Sequence, residues 1–538
     1  MKTLNIIIIL SGFLTQSYAQ IGNQYWDLKS PSDWHLSSVP FKQVDIFPES
    51  YLQNDLTIGY NRAKICWYSI DPLFTRNNSM TPSHIANTPQ QHDHFVREIL
   101  FNEVYQNSTD STMTSVLNLA FYPVEKGPYN FDVIPTLYSS GINIDGNLNS
   151  PESRWGGIMR DIPINIFTTN NLNFLGFWLM DPFVNDTASD GGNLYINIGN
   201  VSEDILKDGK RSNESGLPAT SIITNVDTTV WGRVSNLALL ADTFASIISW
   251  QFQDIGFDGL VNNDEHLFFQ NYLISIANSY GTSSPAYTMA LNDPCSDDYH
   301  HYLGMDYDNS EVGISDRYKN YHGSEGNTGV FSNDSYPSEE TFLKPDDEDI
   351  NGNDILDTAE NYFQYKVVLH PDSFIVGQNF IADKITVNPA NGDGTPVTWY
   401  KFLIPLNTSQ RKVIGSINSL DSSGFVRLFL NEFSQTINLR FFELAFVTAD
   451  LTIIIDIQNN SEISVYPNPS KGILNIVNEN NEIYSIKVFD LIGKIIYYND
   501  KMESTYKTTI DLSELKAGMY FIEIKSGNSV FTKKIIVE

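Results

Sequence analysis

Along most of the chain, apolar residues come in short runs or alternate with polar ones, and Gly, Pro, Asn, Asp or Ser closes each run. Val116 to Tyr122, Phe174 to Met180, Asn193 to Ile198 and Val397 to Leu406 read as strands, because a period of two places every second side chain on one face of a sheet. Val413 to Ile417, Gly424 to Leu430 and Leu439 to Val447 predict further strands. Two stretches follow another period. Leu237, Leu239, Leu240, Phe244 and Ile247 fall near helical spacing within Ser235 to Ile248, and a second helix is expected over Asp264 to Asn278, with Asp264 and Glu265 favourably placed at its positive N-terminus. The expected fold class is mainly β: a jelly-roll-like β-sandwich body with a helical insertion, plus a small Ig-like β-sandwich at the C-terminus.

The two ends follow different rules. Lys2, the apolar run Ile6 to Leu10 with Phe13 and Leu14, and the small-residue site Ser17-Tyr18-Ala19 predict a signal peptide cleaved after Ala19. A membrane-spanning helix needs roughly 20 apolar residues, and this run is shorter and broken by Ser11, Thr15 and Gln16. Leu451 to Ile457 is interrupted by Asp456 and reads as a strand, so no transmembrane segment is expected after signal cleavage. The expected division is a signal peptide over 1–19, a β-rich body over 20–460 with two sandwich halves around a helical and acidic insertion at about 235–365, and a C-terminal domain over 461–538.

Charge narrows the partners. Lys plus Arg total 33 against 64 for Asp plus Glu, a net charge of −31, which argues against nucleic acid and anionic lipid and favours divalent cations. From Ser461 onward Lys and acidic residues are about equal, so nearly all of that charge lies upstream. Cys66 and Cys295 could pair after export, but their separation does not place them within bridging distance, and separate buried thiols are the preferred reading.

The tail opens with Val465-Tyr466-Pro467-Asn468-Pro469-Ser470-Lys471-Gly472, a turn forced by two prolines and a glycine, and then alternates over Ile473 to Asn478 and Tyr484 to Asp490. Its phrases VYPNPSKGILNI, KVFDLIGKII, DLSELKAGMYFIEI and TKKIIVE resemble, in order, the motifs of type A C-terminal sorting domains of type IX secretion, over about the last 75 residues. The residues marking these turn motifs are Pro467, Asn468, Pro469, Gly472, Gly493, Gly518, Lys533 and Lys534. The resemblance implies passage through the periplasm to the type IX translocon, removal of the tail, and a secreted or outer-surface location.

In the body, the phrases NLAFYP, KGPYNFD, RWGGIMR, FLGFWLMDPF, GGNLYINIGNVSEDILKDGKRS, GLP, WGRV, QDIGFDGL, RYKNYHGSEGN, PSEE, PDDEDINGNDILDTAENYF and SSGFVRLFL follow one another in that order between Asn118 and Val447. Together they resemble the SprA family of gliding-motility and type IX secretion proteins. A translocon of that family carries a very large transmembrane barrel of many strands with lipid-facing alternation. Here the resemblance runs straight into a sorting domain. The chain therefore looks like a soluble module of the family made into cargo, and translocon activity is not carried over.

One stretch points to metal chemistry. Read as a calcium loop, Asp349 to Glu360 offers Asp349, Asn351, Asn353, Asp357 and Glu360 at positions 1, 3, 5, 9 and 12, with the Ile355 carbonyl at 7, and calcium is the expected cofactor. Position 6 is Asp354 instead of the usual glycine, and Asp346, Asp347 and Glu348 lie just upstream. Asp254 to Asp264 has alternating oxygen donors without a matching register and reads as a cap and turn, while His92-Asp93-His94 and His300-His301 lack a third ligand. Hydrolase, zinc-helix and nucleotide-binding signatures are missing.

Two functions remain. The favoured one is a non-enzymatic surface or secreted protein in adhesion, motility or assembly, with cell-surface proteins or glycans as expected partners. The other is a carbohydrate-binding protein or hydrolase on a jelly-roll scaffold, which an exposed row of Trp and Tyr would favour.

Overall fold

The computed structural model describes residues 25–106, 112–237, 244–246, 248–327, 345–448, 463–478, 483–489, 495–499, 507–516, 518–526 and 529–537. The signal peptide, the strand expected over Leu451 to Ile457 and the turn at Gly493 lie outside the described residues.

The expected alternation becomes two antiparallel sheets. In the first, the strands run in the order Ile381–Val387, Val397–Pro405, Phe174–Met180, Ile437–Val447, Leu117–Lys126 and Ala63–Tyr68, with Tyr25–Asp27 also paired to Ile437–Val447. In the second the order is Lys412–Ile414, Asn361–Leu369, Gly192–Asn200, Phe425–Asn431, Trp155–Asp161 and His35–Leu36. One core joins them: Leu119, Phe121, Phe177 and Phe402 from the first sheet share a buried cluster with Ile158, Ile196, Val367 and Leu428 from the second. The protein is mainly β, with a β-sandwich body.

Several strands are apolar on both faces, which explains why their sequences run apolar without strict alternation. Leu117, Leu119 and Phe121 enter the sandwich core, whereas Ala120 and Tyr122 pack outward with Cys66, Tyr68, Tyr302 and Tyr318. Leu175, Phe177 and Leu179 do the same against Trp178 and Met180, which meet Val397, Trp399 and Phe442. At roughly 25 cal/mol per Å² of apolar surface removed from water, double-sided burial of this kind is the main source of stability.

Buried charge is paired within this frame. Arg97 meets Glu103 at 2.6 Å and Arg154 meets Asp132 at 2.9 Å, all four side chains almost fully buried. Arg427, on Phe425–Asn431, holds Glu360, just before Asn361–Leu369, through two bonds of 2.8 and 2.9 Å.

The helical insertion differs from expectation in two places. Within Ser235 to Ile248, Arg233–Ser235 is a strand paired with Val226–Thr228, and 236–237 and 244–246 are not helical; 238–243 and 247 lie outside the described residues. Asn236 N–H closes this hairpin on the Asn225 carbonyl, and Ser235 Oγ accepts from Leu237 N–H, the local bonding by which Ser and Asn compete with a helix. The helix expected over Asp264 to Asn278 forms as Asn262–Phe268 and Gln270–Tyr280, broken at Phe269, whose ring packs 4.4 Å from that of Phe131.

The C-terminal region has a three-stranded sheet, Ile463–Tyr466, Ile473–Asn478 and Lys507–Asp511, and a four-stranded one, Ile495–Asn499, Ile483–Phe489, Gly518–Ser526 and Ser529–Val537. Leu474, Ile476, Ile486, Val488, Ile510, Leu512, Ile522, Ile524 and Ile535 form its core. Gly472 takes φ +101° at the opening turn, where an added Cβ would stand 2.4 Å from Ser513 Cα.

Candidate functional site

The acidic loop follows the isolated bridge between Asn213 and Asp347 and precedes the strand Asn361–Leu369. Its shape comes from its own side chains. Asp349 Oδ1 accepts from Asn353 N–H at 3.0 Å and Oδ2 from Asp354 N–H at 2.7 Å, folding the segment back over its first carboxylate. Asp354 adopts φ +64°, the left-handed turn for which a glycine is usual; Asp tolerates that region better than most residues, so the missing glycine does not prevent the turn. Asn351 and Asn353 each donate an amide to Asp357 Oδ2, at 2.9 and 3.2 Å. Asp349, Asn351, Asn353 and Asp357 are thus gathered in one loop, and Ile355 is exposed on its rim.

Glu360 is not part of this group. Its carboxylate is buried against Arg427 and also accepts from Ser202 N–H at 2.9 Å and Phe41 N–H at 3.3 Å. The expectation that it closes the loop at position 12 is corrected here: a guanidinium with no exposed surface requires a buried counter-charge, and Glu360 supplies it.

Two residues that spacing did not reveal take part instead. Glu203, fully buried, accepts from the backbone N–H groups of Asn351 at 3.1 Å and Asp357 at 3.0 Å and so spans the loop from beneath. Burial pushes its carboxyl up to about 7; those two N–H bonds oppose the shift, and the charges of Asp349 and Asp357 add to it. Arg211 contacts Asp349 Oδ2 at 3.1 Å and Asp354 Oδ1 at 3.5 Å and also pairs with Asp347, and its bond to Asp347 holds it above its ordinary value. Both residues lie in the phrase SEDILKDGKRS, but only the fold brings it beside the loop.

In the tail, Pro467, Asn468 and Pro469 form the expected bend, and both Xaa-Pro peptides are cis. Asn468 Oδ1 accepts from Ile536 N–H at 2.8 Å, and Ser470 N–H donates to the Ile536 carbonyl at 2.8 Å, latching this turn to the closing strand. Gly518 begins a strand opposite Val537, and Lys533 and Lys534 lie within the closing strand opposite Ile522 and Phe521, so these three are strand positions rather than turns. Backbone pairing along the whole edge outweighs the turn tendency of the Ala517-Gly518 step.

Other candidates resolve simply. His92 Nδ1 lies 2.8 Å from the Asn391 carbonyl, and His300 contacts Asp306. Cys66 and Cys295 are separate buried thiols. Trp34, Trp67, Trp155, Trp178, Trp231 and Trp399 are buried, and Trp26 and Trp250 half-buried, so no exposed tryptophan row exists for sugar rings. Among the described residues no helix is long and apolar enough to cross a membrane.

Comparison with known proteins adds to this geometry. Residues 271–483 match the family described as motility related/secretion protein, and residues 464–538 match the secretion system C-terminal sorting domain, with an overlap at 464–483. The first match contains the acidic loop; the SprA-like phrases over 118–270 stand outside it. The ulvan lyase NLR42 of Nonlabens ulvanivorans is 29% identical over 87 residues, which is 16% of this chain and 16% of that protein, so the chain spans a small part of that relative. The chain is thus similar to SprA-type motility and secretion proteins over residues 271–483 and carries a type IX C-terminal sorting domain over 464–538, which implies export to the cell surface or outside in a secretion and motility context.

Proposed function

We propose that the body is a non-enzymatic surface or secreted component of adhesion, motility or assembly, carried out by its tail after signal cleavage at Ala19 and passage through the periplasm. The observation that carries this reading is the direct succession of an SprA-like segment and a sorting domain in one chain. Fractionation of the native organism, with mass spectrometry of both mature ends, tests it. Mature protein beginning at Gln20 and lacking the tail should appear on the surface or in the medium; protein retained in the periplasm with both ends intact would contradict it.

No catalysis is expected. Burial of the tryptophans supports this reading over a sugar-active one, and lyase activity belongs to a relative matched over a small part of its length. A screen of the purified chain against common polysaccharide, peptide and ester substrates should stay at background. Turnover abolished by a single carboxylate substitution would overturn the proposal.

The reading includes a calcium ion held by Asp349, Asn351, Asn353, the Ile355 carbonyl and Asp357. Hard oxygen donors in an irregular arrangement suit calcium, whereas magnesium demands a stricter octahedral shell. An ion that binds only the folded state stabilises it by about 2.7 kcal/mol at a hundredfold excess over its Kd. Calcium should raise the melting temperature more than magnesium does, and Asp349→Ala and Asp357→Ala should each shrink that rise. Equal calcium responses in wild type and both variants would remove the ion from the loop.

A further inference from the structure

Away from the acidic loop, the helical insertion collects carboxylates that form no ion pair among the described residues. Glu265 stands on the helix Asn262–Phe268, Asp297 in the loop after the helix Pro285–Asn292, and Glu325 after the short helix Ser315–Tyr318, in an isolated bridge with Asp298. Glu265 and Asp297 are fully buried and Glu325 half-buried. Backbone bonds hold the three segments in register: Glu325 N–H donates to the Asp297 carbonyl at 3.0 Å, Tyr299 N–H to the Glu325 carbonyl at 2.9 Å, and Cys295 N–H to Glu265 Oε2 at 3.2 Å. One oxygen from each of Glu265, Asp297 and Glu325 lies within 4.8 Å of the other two. Gly256, at φ +85°, makes room for this convergence, since a Cβ there would stand 2.3 Å from Asp297 Oδ2.

What marks the cluster as a site is its unused oxygens. Glu265 Oε1, Asp297 Oδ1 and Glu325 Oε2 are buried without a hydrogen-bond donor among the described residues. Glu103, Asp132 and Glu360 each pair with a buried arginine, whereas among the described residues Glu265, Asp297 and Glu325 form no ion pair. Leaving such groups ionised and unpaired costs several kcal/mol each. Burial, reinforced by neighbouring carboxylates, pushes Glu265 up to about 9 and Glu325 up to about 10, and drives Asp297 well above the carboxylate range. A divalent ion held among the three carboxylates would supply the counter-charge that the described residues do not.

We propose that Glu265, Asp297 and Glu325 bind a calcium ion at a second, structural site that ties the helix to the two other segments. The donors are all oxygen, and calcium–oxygen bonds of about 2.3–2.6 Å place opposed ligands about 4.6–5.2 Å apart, which accommodates this cluster. Zinc would call on the adjoining Asp258, Glu265 and Cys295 instead. Cys295 Sγ already donates to Asp258 Oδ2 at 2.8 Å, and burial beside carboxylates pushes the thiol well above its ordinary value, which opposes thiolate ligation.

Calorimetric titration of the chelator-stripped full chain with calcium tests the site separately from the loop. Wild type should take up two ions, and Asp349→Ala should lose one. Asp297→Asn, which keeps the shape of the side chain, should lose the other, and so should Glu325→Gln at the less buried position, where folding is least at risk. If the loop binds nothing, wild type takes up a single ion that Asp349→Ala retains and both Asp297→Asn and Glu325→Gln lose. Uptake unchanged in both of these variants overturns the proposal, as does zinc binding in preference to calcium with Cys295 protected from alkylation.

Discussion

Deleting Ser461 to Glu538 should abolish delivery to the surface and medium, with the truncated chain accumulating in the periplasm. The deletion removes a set of strands whose nine buried core residues all come from the tail itself, while the body cluster contains none of them. The body should therefore keep its fold, and the loss should be one of address rather than stability. Circular dichroism of the truncated protein separates the two, and its melting curve should match that of the body in the full chain. Fusing the tail to a periplasmic reporter should export the reporter only in cells with a type IX translocon. Surface levels unaffected by the deletion would sink the assignment.

Glu360→Ala should destabilise the body by about 3–5 kcal/mol, the usual penalty for leaving a buried charge without its partner. That is a large part of the roughly 5–15 kcal/mol by which folded domains are stable. The cost should be the same in calcium and in chelator, because Arg427 rather than an ion is the partner. Replacing both members together, Glu360→Leu with Arg427→Met, should recover much of the loss, since apolar side chains of similar size often substitute for a buried pair at little cost. Chemical denaturation of Glu360→Leu, Arg427→Met and the double variant measures the coupling. A Glu360→Ala effect seen only with calcium present would return this residue to the loop.

These two residues show where sequence reasoning stops. The strand Phe174–Met180 forms over the expected residues because a short apolar run closed by Asp181-Pro182 carries its own boundaries. Gly192–Asn200 runs past both expected ends and Ile437–Val447 begins before its expected start, since pairing with neighbouring strands extends a strand beyond its expected bounds. Position 12 of a calcium loop is also legible from spacing, but Arg427, 67 residues on, is not, and it decides where the carboxylate points. Glu203 and Arg211 reach the loop only because Gly192–Asn200 pairs with Asn361–Leu369 and carries the following segment alongside. From spacing alone Glu265 is a charge favouring a helix N-terminus; the fold buries it beside Asp297 and Glu325, and no spacing rule collects three acids from separate segments.

The bend at Pro467 to Pro469 is tied to Ile536, close to the far end of the tail. Without Ile536 the opening turn keeps its local bonds, Gly472 N–H to Ser470 Oγ and Ser470 Oγ to the Ile473 carbonyl, but loses the two that come from the closing strand. A protease that trims the last few residues therefore loosens the tail at its opening bend as well as at its cut end, 68 residues away in sequence.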